Sequence, residues 1–315
     1  MKYIHGVSEF ELEGPSAVTL GKFDGVHRGH QKLVEIVKQK AEQLGLLSVL
    51  FTFDGIPLSI CPQKHQHFIT TNAERKNICE NLMLDVEIEY PFTTELMNME
   101  PETFIREIIV KQMKAKAVVV GTDYCFGKNR EGNAQMLIDK GPVYGFETIV
   151  VEKERYQERE ISSTYVREEL RLGHMETVNV LLDRPYSITG IVAKGKQLGR
   201  TLDIPTINIY PRESKLLPPN GVYASVTLID GKKYYGVTNL GTRPTVSDSQ
   251  EVSVETNVFD FDREVYGEKV EVQLLHFLRP EMKFENIDGL KKQMELDTQF
   301  AKDMFLIPNH NKDEK

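Results

Sequence analysis

Gly21 to His30 read G-K-F-D-G-V-H-R-G-H. This run sets three glycines and two histidines between a short apolar segment, Ala17 to Leu20, and a stretch where Leu33, Val34, Val37, Ala41 and Leu44 recur at helical spacing until Gly45 ends it. Strand, glycine-rich loop and helix start, in that order, make a place for phosphate. Unbonded N–H groups and the positive end of the helix macrodipole attract an anion there, and glycine lets the backbone come close. His27 and His30 fall at the helix start. A second apolar run, Leu46 to Phe53, completes a βαβ unit.

The same alternation continues through about residue 183. Val86 to Tyr90, Ala117 to Gly121 and Glu147 to Val151 read as buried parallel strands, with helices over Thr103 to Met113 and Tyr165 to Leu172. The expected fold of this half is an open, largely parallel, Rossmann-like α/β sheet with ligands at the carboxyl ends of its strands. After Pro185 the period changes from helical to two. Val222, Ala224, Val226 and Leu228 share one strand face, and Asp230-Gly231 turns the chain into Lys233 to Leu240. Further strands fit Ser187 to Ala193, Val252 to Phe259 and Lys269 to Phe277, and Phe284 to Phe305 returns to helical spacing. A small antiparallel β-barrel with a terminal helix is expected. The domains expected are residues 1–183 and 184–308, with 309–315 a disordered polar tail.

Bulk properties narrow the class. The 315 residues suit two domains, and 40% hydrophobic with 27% charged content is ordinary for a globular protein. No apolar stretch approaches the roughly 18 residues that span a bilayer, and no signal pattern precedes the first strand, so a cytoplasmic enzyme without membrane contact is expected. A net charge of -8 disfavours nonspecific nucleic-acid binding. Cys61, Cys79 and Cys125 lack CxxC spacing, which indicates neither a zinc site nor a disulfide framework. Oligomeric state is not legible.

An isolated His-x-Gly-His is more often a pair of loop residues than a site. The ten-residue run, however, resembles the HxGH signature of the nucleotidyltransferase superfamily, in the version found in bacterial FAD synthetases. Two more stretches fit in order. Gly121-Thr-Asp-Tyr-Cys-Phe-Gly127 resembles that family's GxDFxFG motif, with Tyr124 for the usual Phe, and Ile161-Ser-Ser-Thr-Tyr-Val-Arg167 resembles ISSTxxR. Read without the family, Thr164 could simply cap a helix. The resemblance implies adenylyl transfer from ATP to FMN, with His27 and His30 catalytic. It implies ATP contacts at Gly21, Phe23, Asp24, Gly29, Ser162, Ser163 and Arg167, and flavin contacts at Asp123 and Asn129. One position departs: Phe51 to Pro57 reads F-T-F-D-G-I-P where the family has F-x-F-x-P-H-P, so Ile56 stands for a histidine. Isoleucine cannot donate to a phosphate.

In the second half, Gly195 to Asn208 resembles the riboflavin kinase motif GxxxGRxLGxPTxN, with Asp203 for a glycine. The resemblance implies ATP contacts at Gly195, Gly199 and Arg200, and Mg²⁺ held by Thr206 and Asn208. Two residues apart on an extended segment, their side chains point the same way and both offer oxygen. Val254-Glu-Thr-Asn257 matches the family's catalytic Glu at Glu255, which would orient or deprotonate the riboflavin 5′-hydroxyl. Asn239 to Thr245 and Phe277 to Phe284 also match, and Arg279 is a candidate flavin contact, although a surface ion pair explains it as well. The expected function is a bifunctional riboflavin kinase and FAD synthetase using ATP and Mg²⁺, with riboflavin, FMN, FAD and ATP as its small-molecule partners. The alternatives are a kinase whose first domain is weakened by Ile56, and a flavin-sensing regulator with little turnover.

Overall fold

The computed structural model describes residues 1–55, 67–194, 204–244 and 250–306. By its contacts the chain divides into two compact units, Met1–Val166 and Arg167–Lys315, the division falling inside a helix.

The first unit is built on six parallel strands: β1 (Lys2–His5), β2 (Ser16–Leu20), β3 (Leu47–Phe53), β4 (Val86–Tyr90), β5 (Ala115–Gly121) and β6 (Glu147–Val151). Their spatial order is β1-β4-β3-β2-β5-β6. From β2 the chain winds one way through β3 and β4, then returns to β2's other side for β5 and β6. The strand order therefore reverses between β2 and β5, where an open α/β sheet forms its ligand crevice. Its longer helices are α1 (Arg28–Leu44), α2 (Asn72–Asn81), a π-helical α3 (Phe104–Gln112), α4 (Ala134–Tyr144) and α5 (Ser163–Leu172). On α1 the residues Leu33, Val34, Val37 and Ala41 are buried, and Gly45 stops the helix in a left-handed conformation at φ +63°.

Strand β4 breaks the apolar rule. Its sequence Val-Glu-Ile-Glu-Tyr is buried along its whole length, and Glu87 is 0% exposed. Arg75 from α2 compensates: it donates to Glu87 at 3.0 Å and to Glu89 at 2.7 Å, while Asn72 and the Tyr3 hydroxyl also reach Glu89. Burial nevertheless holds the Glu87 carboxyl above the usual carboxylate range, because desolvation outweighs the pull of Arg75.

The second unit is a six-stranded antiparallel sheet: β7 (Tyr186–Ile191), β8 (Thr206–Ile209), β9 (Gly221–Ile229), β10 (Lys232–Pro244), β11 (Gln250–Val258) and β12 (Lys269–Pro280). The order is β7-β12-β9-β10-β11-β8, and a bridge between Ala193 and Asn208 brings the two ends of the sheet together. The Asp230-Gly231 turn has two residues between strands, with φ of +49° and +75°, the hairpin geometry expected from its sequence. One face of the strands is the core: Tyr186, Ile188, Ile209, Leu240, Val254, Val272 and Leu274 are buried on it. Helix α6 (Met175–Leu182) packs on β12 and β7, and α7 (Ile287–Leu306) on β10. Among the described residues, no helix is long and apolar enough to cross a membrane.

Candidate active sites

The switch point between β2 and β5 opens into a cleft of about 870 Å³. Its walls include Gly21, Phe23, His27, Gly29 and His30 after β2, Asp123, Tyr124 and Asn129 after β5, and Ser162 to Thr164 at the start of α5. Two helix starts thus border one cavity. His27 occupies the N-cap position of α1 in an extended conformation, and its ring stacks on that of His30, 3.7 Å between centroids. Phe23 also packs against His30, at 4.9 Å between ring centroids. At α5 the cap is Ser162, whose hydroxyl oxygen accepts from the Tyr165 N–H at 3.2 Å, so the alternative of a Thr164 cap is not the one adopted.

The loop itself is bent into the left-handed region at Phe23 (φ +47°), Gly25 (+84°) and Val26 (+39°). Other segments hold it in place. The Thr52 hydroxyl donates to the Lys22 carbonyl at 3.0 Å, and the Ser163 hydroxyl to the Asp24 carbonyl at 2.8 Å. Asp24, expected among the ATP contacts, lies buried behind the loop, where its carboxylate accepts from the Thr70 N–H. Arg167, one turn beyond Ser163 on α5, is half-buried and not part of the cleft wall.

After β5, Asp123 forms an ion pair with Lys153 at 3.0 Å, and Lys153 also reaches Glu160 at 3.0 Å. These two carboxylates, Asp123 foremost, raise the Lys153 pKa and keep it charged. Asn129 sits at φ +54° with its amide on Glu131 at 3.3 Å. Tyr124 stacks on Phe126 at 5.6 Å, and burial pushes its hydroxyl pKa upward. Lys22, Arg130 and Lys153 add positive charge to the wall. Lys22 lies inside the Gly21 to His30 run, whereas Arg130 and Lys153 are marked by no spacing and only a fold that brings β2, β5 and β6 side by side reveals them. Ile56 lies outside the described residues.

The second unit carries a different arrangement. Along β10 and β11 the burial alternates, with residues 236, 238, 240, 254, 256 and 258 buried and residues 237, 239, 255 and 257 half-exposed. Glu255 is therefore on the outer face. In register it stands opposite Asn208 of β8 on one side and Asn239 of β10 on the other, and Thr206 stands opposite Asn257. Directly paired side chains lie about 4.5–5.5 Å apart at Cβ. A carboxylate flanked by two amides and, one pair along, a threonine hydroxyl forms a patch of oxygen donors. The Asn257 amide ties this patch to the turn before β8 by donating to the Pro205 carbonyl at 2.9 Å. Gly195, Gly199, Arg200 and Asp203 lie outside the described residues. Arg279 is engaged with Asp297 of α7, Nε and Nη2 reaching its carboxylate at 2.7–3.1 Å. In this conformation it anchors the terminal helix.

Comparison with known proteins matches both units. The FAD synthetase family model fits residues 10–165 and the riboflavin kinase family model residues 182–305. The bifunctional riboflavin kinase/FMN adenylyltransferase of Listeria monocytogenes is 36% identical, over 91% of this chain and 92% of its own length. That of Bacillus subtilis is 36% identical over 96% and 97%. A solved structure named as a macrolide-efflux protein from Streptococcus pneumoniae is 29% identical with a TM-score of 0.85, covering 93% of this chain and 96% of that one. The chain belongs to the bifunctional riboflavin kinase/FAD synthetase family.

Proposed function

We propose that the cleft at the end of β2 and β5 adenylylates FMN, and that the outer face of β8, β10 and β11 phosphorylates riboflavin. The observation that carries the first assignment is the pair of stacked histidines at a helix start, inside a cleft bordered by a second helix start. There an FMN phosphate oxygen attacks the α-phosphorus of ATP, the bond to the bridging oxygen breaks, and pyrophosphate leaves. No protein nucleophile is needed, so the protein contributes alignment and charge stabilisation. His27 and His30 donate to the α-phosphoryl oxygens. Ser162 accepts from Tyr165 and keeps its hydroxyl hydrogen for a phosphate oxygen. Ser163 has given its own to Asp24, and so serves through its backbone N–H at the helix start. Lys22, Arg130 and Lys153 offset the charge of the departing pyrophosphate, and Asp123 and Asn129 face the flavin.

In the second unit Glu255 orients the riboflavin 5′-hydroxyl and takes its proton as the oxygen attacks the γ-phosphorus, with ADP leaving. Its flanking amides hold the carboxylate in place. The all-oxygen donor set at Thr206 and Asn208 fits Mg²⁺, a hard cation that keeps several waters and needs few protein ligands. Such an ion, arriving with ATP, supplies neutralisation of phosphate charge. The pneumococcal structure's name speaks of efflux, whereas the matching family models are those of an FAD synthetase and a riboflavin kinase, which supports the phosphate-transfer reading. The direct test supplies the parent chain with riboflavin, ATP and Mg²⁺ and follows flavins by chromatography. FMN is expected first and FAD after it; accumulation of FMN alone at high enzyme concentration would contradict the adenylyl-transfer half.

A further inference from the structure

The loop that carries the two histidines runs against the preferences of its residues. Val26 is β-branched and buried, yet holds φ at +39°, three residues after Phe23 at +47°. Backbone of this kind persists only where its surroundings over-determine it.

The segment Ile69 to Thr71, which the sequence motifs do not mark, supplies much of that constraint. Thr70 forms a reciprocal buried pair with the loop. Its hydroxyl oxygen accepts from the Gly25 N–H at 3.1 Å, and its own N–H donates to the Asp24 carboxylate at 3.2 Å. Ile69 closes against the same spot, since a Cβ on Gly25 would come within 3.1 Å of its side chain. Thr71 serves the helix instead: with Glu74 it makes the capping box of α2. Helix α2 is in turn fixed to β4 by Arg75 on Glu87 and Glu89. Arg75 thus ties α2 to the sheet, Thr71 caps α2, and the adjoining Thr70 holds Gly25, two residues before His27.

We infer that Thr70 is a positioning residue for adenylyl transfer: it fixes the Asp24-Gly25 turn and so aims His27 and His30 at the reacting phosphate. The inference rests on the adenylyl-transfer assignment above. Thr70 stands behind the loop and acts through it. Valine at this position keeps the shape but withdraws the acceptor, leaving the buried Gly25 N–H without it.

The test compares Thr70→Val, Thr70→Ser and Thr71→Ala with the parent in the full chain. FAD formation from FMN and ATP is measured, with riboflavin phosphorylation and thermal unfolding recorded on the same preparations. Thr71→Ala removes a buried hydroxyl one residue away and weakens α2 without touching Gly25, so it reports what lost stability alone does. Thr70→Val is expected to lower kcat for FAD formation by about 10- to 100-fold, with KM for FMN and ATP within about twofold. Thr70→Ser and Thr71→Ala are expected to stay close to the parent, and every variant to make FMN at the parent rate. Should Thr70→Val fail to fold, Thr70→Ala carries the same comparison. Retention of the parent kcat by Thr70→Val would overturn the inference, as would an equal loss in Thr71→Ala. A parent chain that makes no FAD would refute the adenylyl-transfer assignment itself and the positioning role with it, an outcome distinct from the other two.

Discussion

The two sites are made in opposite ways. In the first unit the residues proposed for adenylyl transfer come from loops at the ends of parallel strands, and the histidine loop is bent at Phe23, Gly25 and Val26 and held by partners from β3, the Thr70 segment and α5. In the second unit Asn208, Glu255 and Asn239 stand side by side across three strands, in ordinary sheet register with nothing strained among them. A loop site depends on what braces it, whereas a strand-face site depends on register alone. The first should therefore be sensitive to substitutions well outside its wall, and the second mainly to its own side chains.

Four predictions press on this contrast. The largest effect is expected from His27→Ala, which removes one of the two donors proposed for the charged transition state. FAD formation should fall by about 100- to 1000-fold, while FMN formation is unchanged. Next, Asn208→Leu removes an oxygen donor beside Glu255 and should lower riboflavin phosphorylation by about 100-fold without altering FAD formation from added FMN. A smaller change is expected from Lys153→Met, which releases Asp123 from its ion pair. The KM for FMN in FAD formation should rise by about two- to tenfold, and kcat should fall by about tenfold because a cation proposed to offset the pyrophosphate charge is lost. Exposed ion pairs of this kind add little to stability, so the unfolding temperature should not move.

The smallest effect concerns the buried Glu87. Its folded pKa is raised above the usual value of 4.5, so the folded state binds the proton more tightly than the unfolded chain does. The stability this group contributes is present below that value and lost as pH rises through the folded one. Glu87→Gln has no such loss. Its unfolding temperature relative to the parent should therefore increase as pH is raised from 4.5 toward neutrality, and a constant difference across that range would contradict the account.

What could be read from the sequence follows the same division. The histidine loop lies in one stretch, between an apolar strand and a periodic helix, and its place at the crevice follows from that order alone. The Asp230-Gly231 hairpin was equally plain, because both residues tolerate positive φ. The row of Asn208, Glu255 and Asn239 was not, since cross-strand register joins positions far apart in the chain; only the family resemblance singled out Glu255. Helix α4 was not among the expected helices, and Gly141-Pro142 lie inside it. The glycine is there because Phe146 packs back on it: a Cβ at 141 would meet the Phe146 carbonyl oxygen at 2.6 Å. Lys153 and Thr70 belong to no pattern, and their roles follow from strands and loops that only folding brings together. Arg279 was legible as a charge but not as the bidentate partner of Asp297.

The central claim is that one chain holds two independent phosphate-transfer sites, one in each compact unit. His30→Ala and Glu255→Gln, each supplied separately with riboflavin and with FMN in the presence of ATP and Mg²⁺, test it most directly. The account predicts that His30→Ala converts riboflavin to FMN and stops there, while Glu255→Gln makes little FMN from riboflavin yet converts added FMN to FAD at the parent rate. Loss of both products from either variant would contradict it.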